Sequence, residues 1–236
     1  MQFTTAKQME RLDELAVANG LEIRQMMELA GWHMVELFRT LKIKKTARVV
    51  AVAGKGNKGG DALSAARHLV NHGYKNVAVV LISSKLKPDP LHHLRLLKKM
   101  KTPTISWTEG AEAKSAISKG DVIIDGLIGY HLDGAPRGVF AKAIQSINQS
   151  KATVIAYDLP SGLHATTGKC YEPCVKSLAT LTLAAPKKCF RTLTGKRHSG
   201  KVFIGDIGIP LFLYRQVIKN YKPIFKPGSG LVQLEK

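Results

Sequence analysis

The stretch Ala53-Gly54-Lys55-Gly56-Asn57-Lys58-Gly59-Gly60-Asp61-Ala62 constrains the fold of this chain more than any other. A β-branched run, Arg48-Val49-Val50-Ala51-Val52, precedes it, and Leu63-Ser64-Ala65-Ala66-Arg67-His68-Leu69-Val70 follows it. The first run reads as a buried parallel strand and the second as a helix with residues 63, 66, 69 and 70 on its apolar face. A glycine-rich turn between a strand and a helix lets backbone N–H groups, and the positive end of the helix, converge on an anion. Gly54, Gly56 and Gly59 satisfy the G-x-G-x-x-G spacing. However, Asn57, Lys58 and Asp61 are polar where the dinucleotide signature carries small residues, and no Gly-Lys-Ser/Thr closes a P-loop. Glycine spacing alone is a weak signal; the polar insert Asn-Lys-Gly-Gly-Asp separates this turn from an ordinary one.

The rest of the chain repeats the strand–helix alternation. Thr4 or Thr5 caps a first helix with Met9, Leu12, Leu15 and Ala16 as its stripe, ended by Asn19-Gly20. A second helix runs over about 22–41, with Gly31 marking a close approach and the methionines reading as core filling. Strands are expected over 76–82, 104–107, 121–125, 152–157, 178–184 and 202–204. Helices are expected over about 90–100, with His92 and His93 outward, over 109–119, and from Pro136 to about 149. This pattern predicts an α/β, Rossmann-like three-layer sandwich with a mostly parallel central sheet and an N-terminal helix pair. Right-handed crossovers then place the carboxyl ends of the strands on one edge, where open α/β sheets bind ligands.

Three segments deliver polar side chains to that edge. The first carries Asn57, Lys58 and Asp61; the second carries Asp125 and the loop Gly129-Tyr130-His131-Leu132-Asp133-Gly134-Ala135; the third carries Asp158 and Ser161. Asp125 and Asp158 each follow an apolar run, and a strand is no place for a carboxylate unless it is paired or functional. Each alone reads as a turn former; their recurrence in two strand–loop units points to a site.

The totals narrow the partners. A formal charge of +19 favours polyanions: nucleic acid, acidic membrane or phosphorylated small molecules. Basic residues concentrate over 85–101 and 187–201, but aromatics are only 6% of the chain and are not interleaved with them, which weighs against single-stranded nucleic acid stacking. There is no apolar run near ~18 residues and no basic-then-apolar leader, so a cytoplasmic location off the membrane is expected. Cys170-x-x-x-Cys174 has a metal-like spacing, but no second pair and no nearby paired histidines complete a site, so Cys170, Cys174 and Cys189 read as free thiols.

Four motifs in order resemble the YjeF N-terminal domain, the NAD(P)HX epimerase family: Gly54-Lys55-Gly56-Asn57-Lys58-Gly59-Gly60-Asp61-Ala62, Asp125-Gly126-Leu127-Ile128-Gly129, Asp158-Leu159-Pro160-Ser161-Gly162 and Ala185-Pro186-Lys187. The helix pair and the closing Gly205-Asp206-Ile207-Gly208-Ile209-Pro210 extend the resemblance over nearly all of 1–236, as a single domain with no dehydratase domain attached. The resemblance implies an isomerase that interconverts the epimers of hydrated NADH and NADPH, acting as a homodimer. Carried over by position, it assigns ligand contacts to Asn57, Lys58, Gly59, Gly60, Asp61, Gly129, Tyr130, His131, Leu132, Asp133, Gly134, Ala135 and Asp158, with Asp158 the catalytic carboxylate. It places a potassium ion on Asp125, Ser161 and the position of Lys58, where the family usually has Asn. An ammonium cannot ligate a cation but can replace one, so Lys58 is expected to fill the potassium position. The alternative that the resemblance leaves is a catalytically impaired nucleotide- or RNA-binding scaffold module, as in the C-terminal part of an mRNA-decapping protein.

Overall fold

The β-branched runs assemble into one sheet. In the computed structural model of the chain, which describes residues 1–235, the strands are β1 (Arg48–Ala53), β2 (Asn76–Leu81), β3 (Thr104–Ser106), β4 (Val122–Gly126), β5 (Thr153–Tyr157), β6 (Ala179–Leu183), β7 (Lys201–Gly205) and β8 (Leu231–Gln233). Their order is β3-β2-β1-β4-β5-β6-β7-β8, and only β8 pairs antiparallel. The chain winds one way from β1 to β3 and the other way from β4 onward, so the connections after β1 and β4 part at the switch point between them. Open α/β sheets hold their ligands in the crevice this creates.

Burial on both faces explains the unbroken apolar strands. Val49, Ala51 and Ala53 of β1 join one core, while Val50 and Val52 join the other. The larger core is covered by α1 (Ala6–Ala18), α2 (Ile23–Thr40), α3 (Asn57–Asn71), α4 (Pro88–Lys99) and α8 (Leu211–Val217). The smaller core lies under α5 (Ala111–Lys119) and α6 (Gly138–Gln149). The remaining helix, α7 (Leu193–Ser199), follows Cys189 and Phe190 of a third apolar cluster. Thr5 caps α1 in a reciprocal box, with Gln8 N donating to Thr5 Oγ1 at 3.2 Å and Thr5 N donating to Gln8 Oε1 at 3.0 Å. Gly31 is a helix contact: a Cβ there would lie 2.4 Å from Ser64 Oγ on α3.

Three local expectations are corrected. Asn57–Asp61 form the first turn of α3 rather than a loop before it, because Gly56 already supplies the extended N-cap. Pro136 stays outside α6: Arg137 is extended at φ −128°, and Gly138, at φ +56°, takes the bend into the helix. His93 faces inward, because packing of α4 on α3 buries that flank along with Leu94 and Leu97. Burial pushes its imidazolium down to about 4, so the ring sits neutral. The short elements α7, α8 and β8 carry too few residues for a readable period and are held by tertiary contact.

Candidate active site

The carboxyl ends of the strands surround a hollow of about 480 Å³, within the ~300–1,000 Å³ usual for ligand pockets. The first turn of α3 contributes Asn57, Lys58 and Asp61, and the segment after β4 contributes Leu127, Ile128, Gly129, Tyr130 and His131. Asp158 enters at the end of β5 and Lys187 after β6. Helices α1 and α2 close the remaining side with Met9, Asp13, Ile23, Met26 and Met27. The chain start is strapped across this side by Thr4 N donating to Pro186 O and Lys188 N donating to Thr4 O, both at 2.8 Å.

Close backbone approach makes the hollow. A Cβ on Gly54 would lie 2.1 Å from Leu127 O, and one on Gly59 would lie 2.0 Å from Gly54 O. Only glycine lets the β1 turn touch both the β4 segment and the start of α3. Gly59 and Gly60 therefore shape the wall from behind; they do not line the hollow, and neither do Leu132, Asp133, Gly134 and Ala135.

Beneath the floor lies an oxygen cage around one ammonium. Lys58 Nζ has four oxygens around it: Leu159 O at 2.7 Å, Ser161 Oγ at 2.9 Å, Ile128 O at 3.0 Å and Asp125 Oδ2 at 3.3 Å. An ammonium has only three protons, so four acceptors exceed its donors. Asp125 is fully buried yet satisfied: Ser161 Oγ donates to Oδ1 at 2.6 Å, Leu127 N to Oδ1 at 3.1 Å and Ser161 N to Oδ2 at 2.8 Å. Burial pulls the Lys58 ammonium below its ordinary range, with Asp125 and Asp158 opposing.

A second buried pair sits in the wall. Lys187 Nζ donates to Asp158 Oδ1, to Leu183 O at 2.8 Å and to Thr182 Oγ1 at 3.0 Å, which uses all three protons. Asp158 is held at φ +59°, a left-handed backbone that non-glycine residues adopt only where the surroundings force it. Ala184, past β6, does the same at φ +62°, so two adjacent strand ends turn alike toward the hollow.

The acids of the hollow are not equivalent. Asp158 is paired with Lys187. Burial, followed by the neighbouring Asp158 and Asp13 carboxylates, drives the Asp61 carboxyl well above the ordinary carboxylate range. Asp13, whose carboxylate accepts a hydrogen bond from Tyr130 Oη, is raised by burial to about 6. Native Asp61 thus keeps its proton where the unfolded chain has lost it. Its contribution to stability is full at low pH and fades as pH climbs from the ordinary carboxyl range to the raised one.

Of the residues singled out in the sequence, Asn57, Lys58, Asp61, Gly129, Tyr130, His131 and Asp158 converge on the hollow, while Asp125 and Ser161 lie under it in the cage. Sequence reasoning quoted Lys187 in a motif without a role, and it missed Asp13, Lys55 and Lys87 as lining residues. The methionines expected as core filling are buried, and Met9, Met26 and Met27 also form the wall. No periodicity distinguishes a buried wall from a buried core.

Fold and site define an open-sheet α/β protein with a carboxylate- and amide-lined ligand crevice at its topological switch point. The chain matches the family described as YjeF-related protein N-terminus over residues 23–189, and it belongs to that family. It is 35% identical over 95% of its length to the NAD(P)H-hydrate epimerase of Dehalogenimonas lykanthroporepellens, covering 89% of that protein, and 37% identical over 87% of its length to the NAD(P)H-hydrate epimerase of Cenarchaeum symbiosum, covering 95% of it. It is also 34% identical over 89% of its length to the bifunctional NAD(P)H-hydrate repair enzyme Nnr of Moorella thermoacetica, spanning 41% of that longer protein. The crystal structure of yeast ynu0 shares the fold, with a TM-score of 0.87 at 22% identity over 99% of this chain and 100% of that one. Among the described residues, no helix is long and apolar enough to cross a membrane.

Proposed function

We propose that this chain is an isomerase that interconverts the R and S epimers of hydrated NADH and NADPH. The observation that carries the reading is a lysine-paired Asp158 and a buried Asp61 lining one hollow. A buried carboxyl that favours its proton and a carboxylate held against an ammonium divide the labour of acid and anion. The Asp61 proton goes to the hydroxyl on the reduced nicotinamide ring; the ring-nitrogen lone pair forms C=N as the C–O bond breaks and water leaves. The Asp158 carboxylate stabilises the ring cation by charge. Water then adds to either face and returns its proton to Asp61, so no net reactant is consumed. Lys55 and Lys87 at the mouth, with the start of α3, are placed to take the ligand's phosphates.

The family's potassium does not fit this chain. We propose that the Lys58 ammonium takes its place: the oxygens an ion would need already surround Nζ, with Asp125 balancing the charge. The reading predicts turnover without added potassium.

Chromatographic separation of the NADHX epimers, with and without protein, tests the activity. We expect equilibration by the native chain, a rate that falls as pH rises through the raised Asp61 range, and a roughly 10²–10⁴-fold loss in Asp61→Asn. An unaccelerated mixture overturns the reading.

The charge of +19 favours one second reading, an RNA-associated scaffold. A labelled oligonucleotide titrated over a salt series separates the two: binding that vanishes by physiological salt leaves the epimerase, and tight binding there supports the scaffold.

A further inference from the structure

The connection from Asp158 to β6 is long, irregular and outside the chemistry above, yet it is built around two cysteines. Its backbone is tied to the site loop: Tyr171 N donates to Gly162 O and Val175 N to Ser161 O, both at 2.8 Å, and Leu163 bridges Cys170. Gly162 leaves no room behind it, since a Cβ there would lie 2.7 Å from Cys174 Cα. Whatever holds Cys170 and Cys174 therefore also holds the backbone that presents Ser161 to Lys58.

A third group arrives from a different element. Cys170 Sγ, Cys174 Sγ and a ring nitrogen of His198 on α7 all lie within 4.8 Å of one another. Tetrahedral zinc with Zn–S bonds of ~2.3 Å brings two sulfurs to about 3.8 Å, so closure needs roughly 1 Å of movement at most. The histidine tautomer is set for ligation. Its Nδ1 lies 3.0 Å from Val175 O, and a carbonyl only accepts, so Nδ1 carries the proton and Nε2 keeps its lone pair. This outer hydrogen bond is the usual partner of a metal-bound imidazole. Glu172, between the cysteines, accepts from Cys170 Sγ at 3.4 Å through Oε1 and from Cys174 N at 3.2 Å through Oε2. Its exposed carboxylate, with the half-buried Cys170, opens a path from solvent.

We propose that Cys170, Cys174 and His198 bind one zinc-class divalent cation, with solvent in the fourth place. The donor set of two thiolates and an imidazole selects zinc over magnesium or calcium, which require oxygen cages. Two thiol protons leave as the ion enters, so two thiolates balance the dication. The ion clamps the 161–178 connection to α7 and braces Ser161 from behind.

The test uses the full chain, reduced by a phosphine under argon, stripped with a chelator and desalted. Zn²⁺ alone is titrated by calorimetry, and Co²⁺ alone is followed by absorbance. We expect one equivalent bound, a thiolate-to-cobalt charge-transfer band, proton release, and a rise in melting temperature with Zn²⁺. Cys170→Ser, Cys174→Ser and His198→Gln should each weaken Zn²⁺ binding by more than about 100-fold and remove the melting shift, while Cys189→Ser keeps both. Should buried Cys174→Ser fail to fold, half-buried Cys170 and His198 carry the test. No stoichiometric binding by the native chain, or binding that survives Cys170→Ser and His198→Gln, overturns the proposal.

Discussion

Lys58→Ala will cost roughly 3–5 kcal/mol of stability, read by urea unfolding, because it strips the counter-charge from a fully buried carboxylate. Asp125 keeps its three hydrogen bonds from Ser161 and Leu127 but faces an empty space where the ammonium stood. Lys58→Asn is the informative companion. It removes the ammonium and returns the cage oxygens of Ile128, Leu159, Ser161 and Asp125 to an incoming ion. The melting temperature of Lys58→Asn should then rise with potassium over an ionic-strength control in sodium, while the native chain shows no such difference. A native chain that gains stability or rate specifically from potassium would sink the proposal that Lys58 replaces it.

Asp158→Asn is expected to slow epimer exchange by about 10²–10⁴-fold, with nucleotide affinity within a few-fold of native. The amide keeps an oxygen for Lys187 and for Leu183 N, so the wall stays built while its anion is lost. Exchange is measured by the chromatographic assay and affinity by calorimetry with NADPH. Equal loss of both would make Asp158 a binding group, and an unchanged rate would remove it from the chemistry. Comparison with Asp61→Asn divides the roles. Only the Asp61 variant should lose the fall in rate at high pH, because the Asp61 proton is the one the ring hydroxyl takes and burial carries that carboxyl upward.

Much of the architecture was legible along the chain because its causes are local. A strand buried on both faces must carry an unbroken apolar run, as in Val49–Ala53 of β1 and Val122–Ile124 of β4, and a helix on one face must repeat near every 3.6 residues, as in α2. Thr5 announces α1 because its side-chain oxygen and that of Gln8, three residues on, each answer the other's backbone N–H. Where a local signal competes with a contact, the contact won. His93 looks like an outward histidine until α3 is laid against it. Pro136 looks like a helix start until the extended Arg137 intervenes.

The sequence by itself determined the alternation of strand and helix, the glycine turn, and which acids stand at strand ends, since each depends on neighbours within a few residues. Tertiary structure alone decided that the Ile128 and Leu159 carbonyls complete the cage around Lys58, that Lys187 meets Asp158, and that α1 and α2 wall the hollow with Asp13 and the methionines. It also brought His198 to Cys170 and Cys174. The reason is geometric. These partners are separated by tens of residues or more, and only the order of strands in the sheet sets which distant segments share an edge. The proton affinities of Asp61 and Asp13 follow from the same packing, because desolvation is a property of what surrounds a group in space, not of what precedes it in the chain.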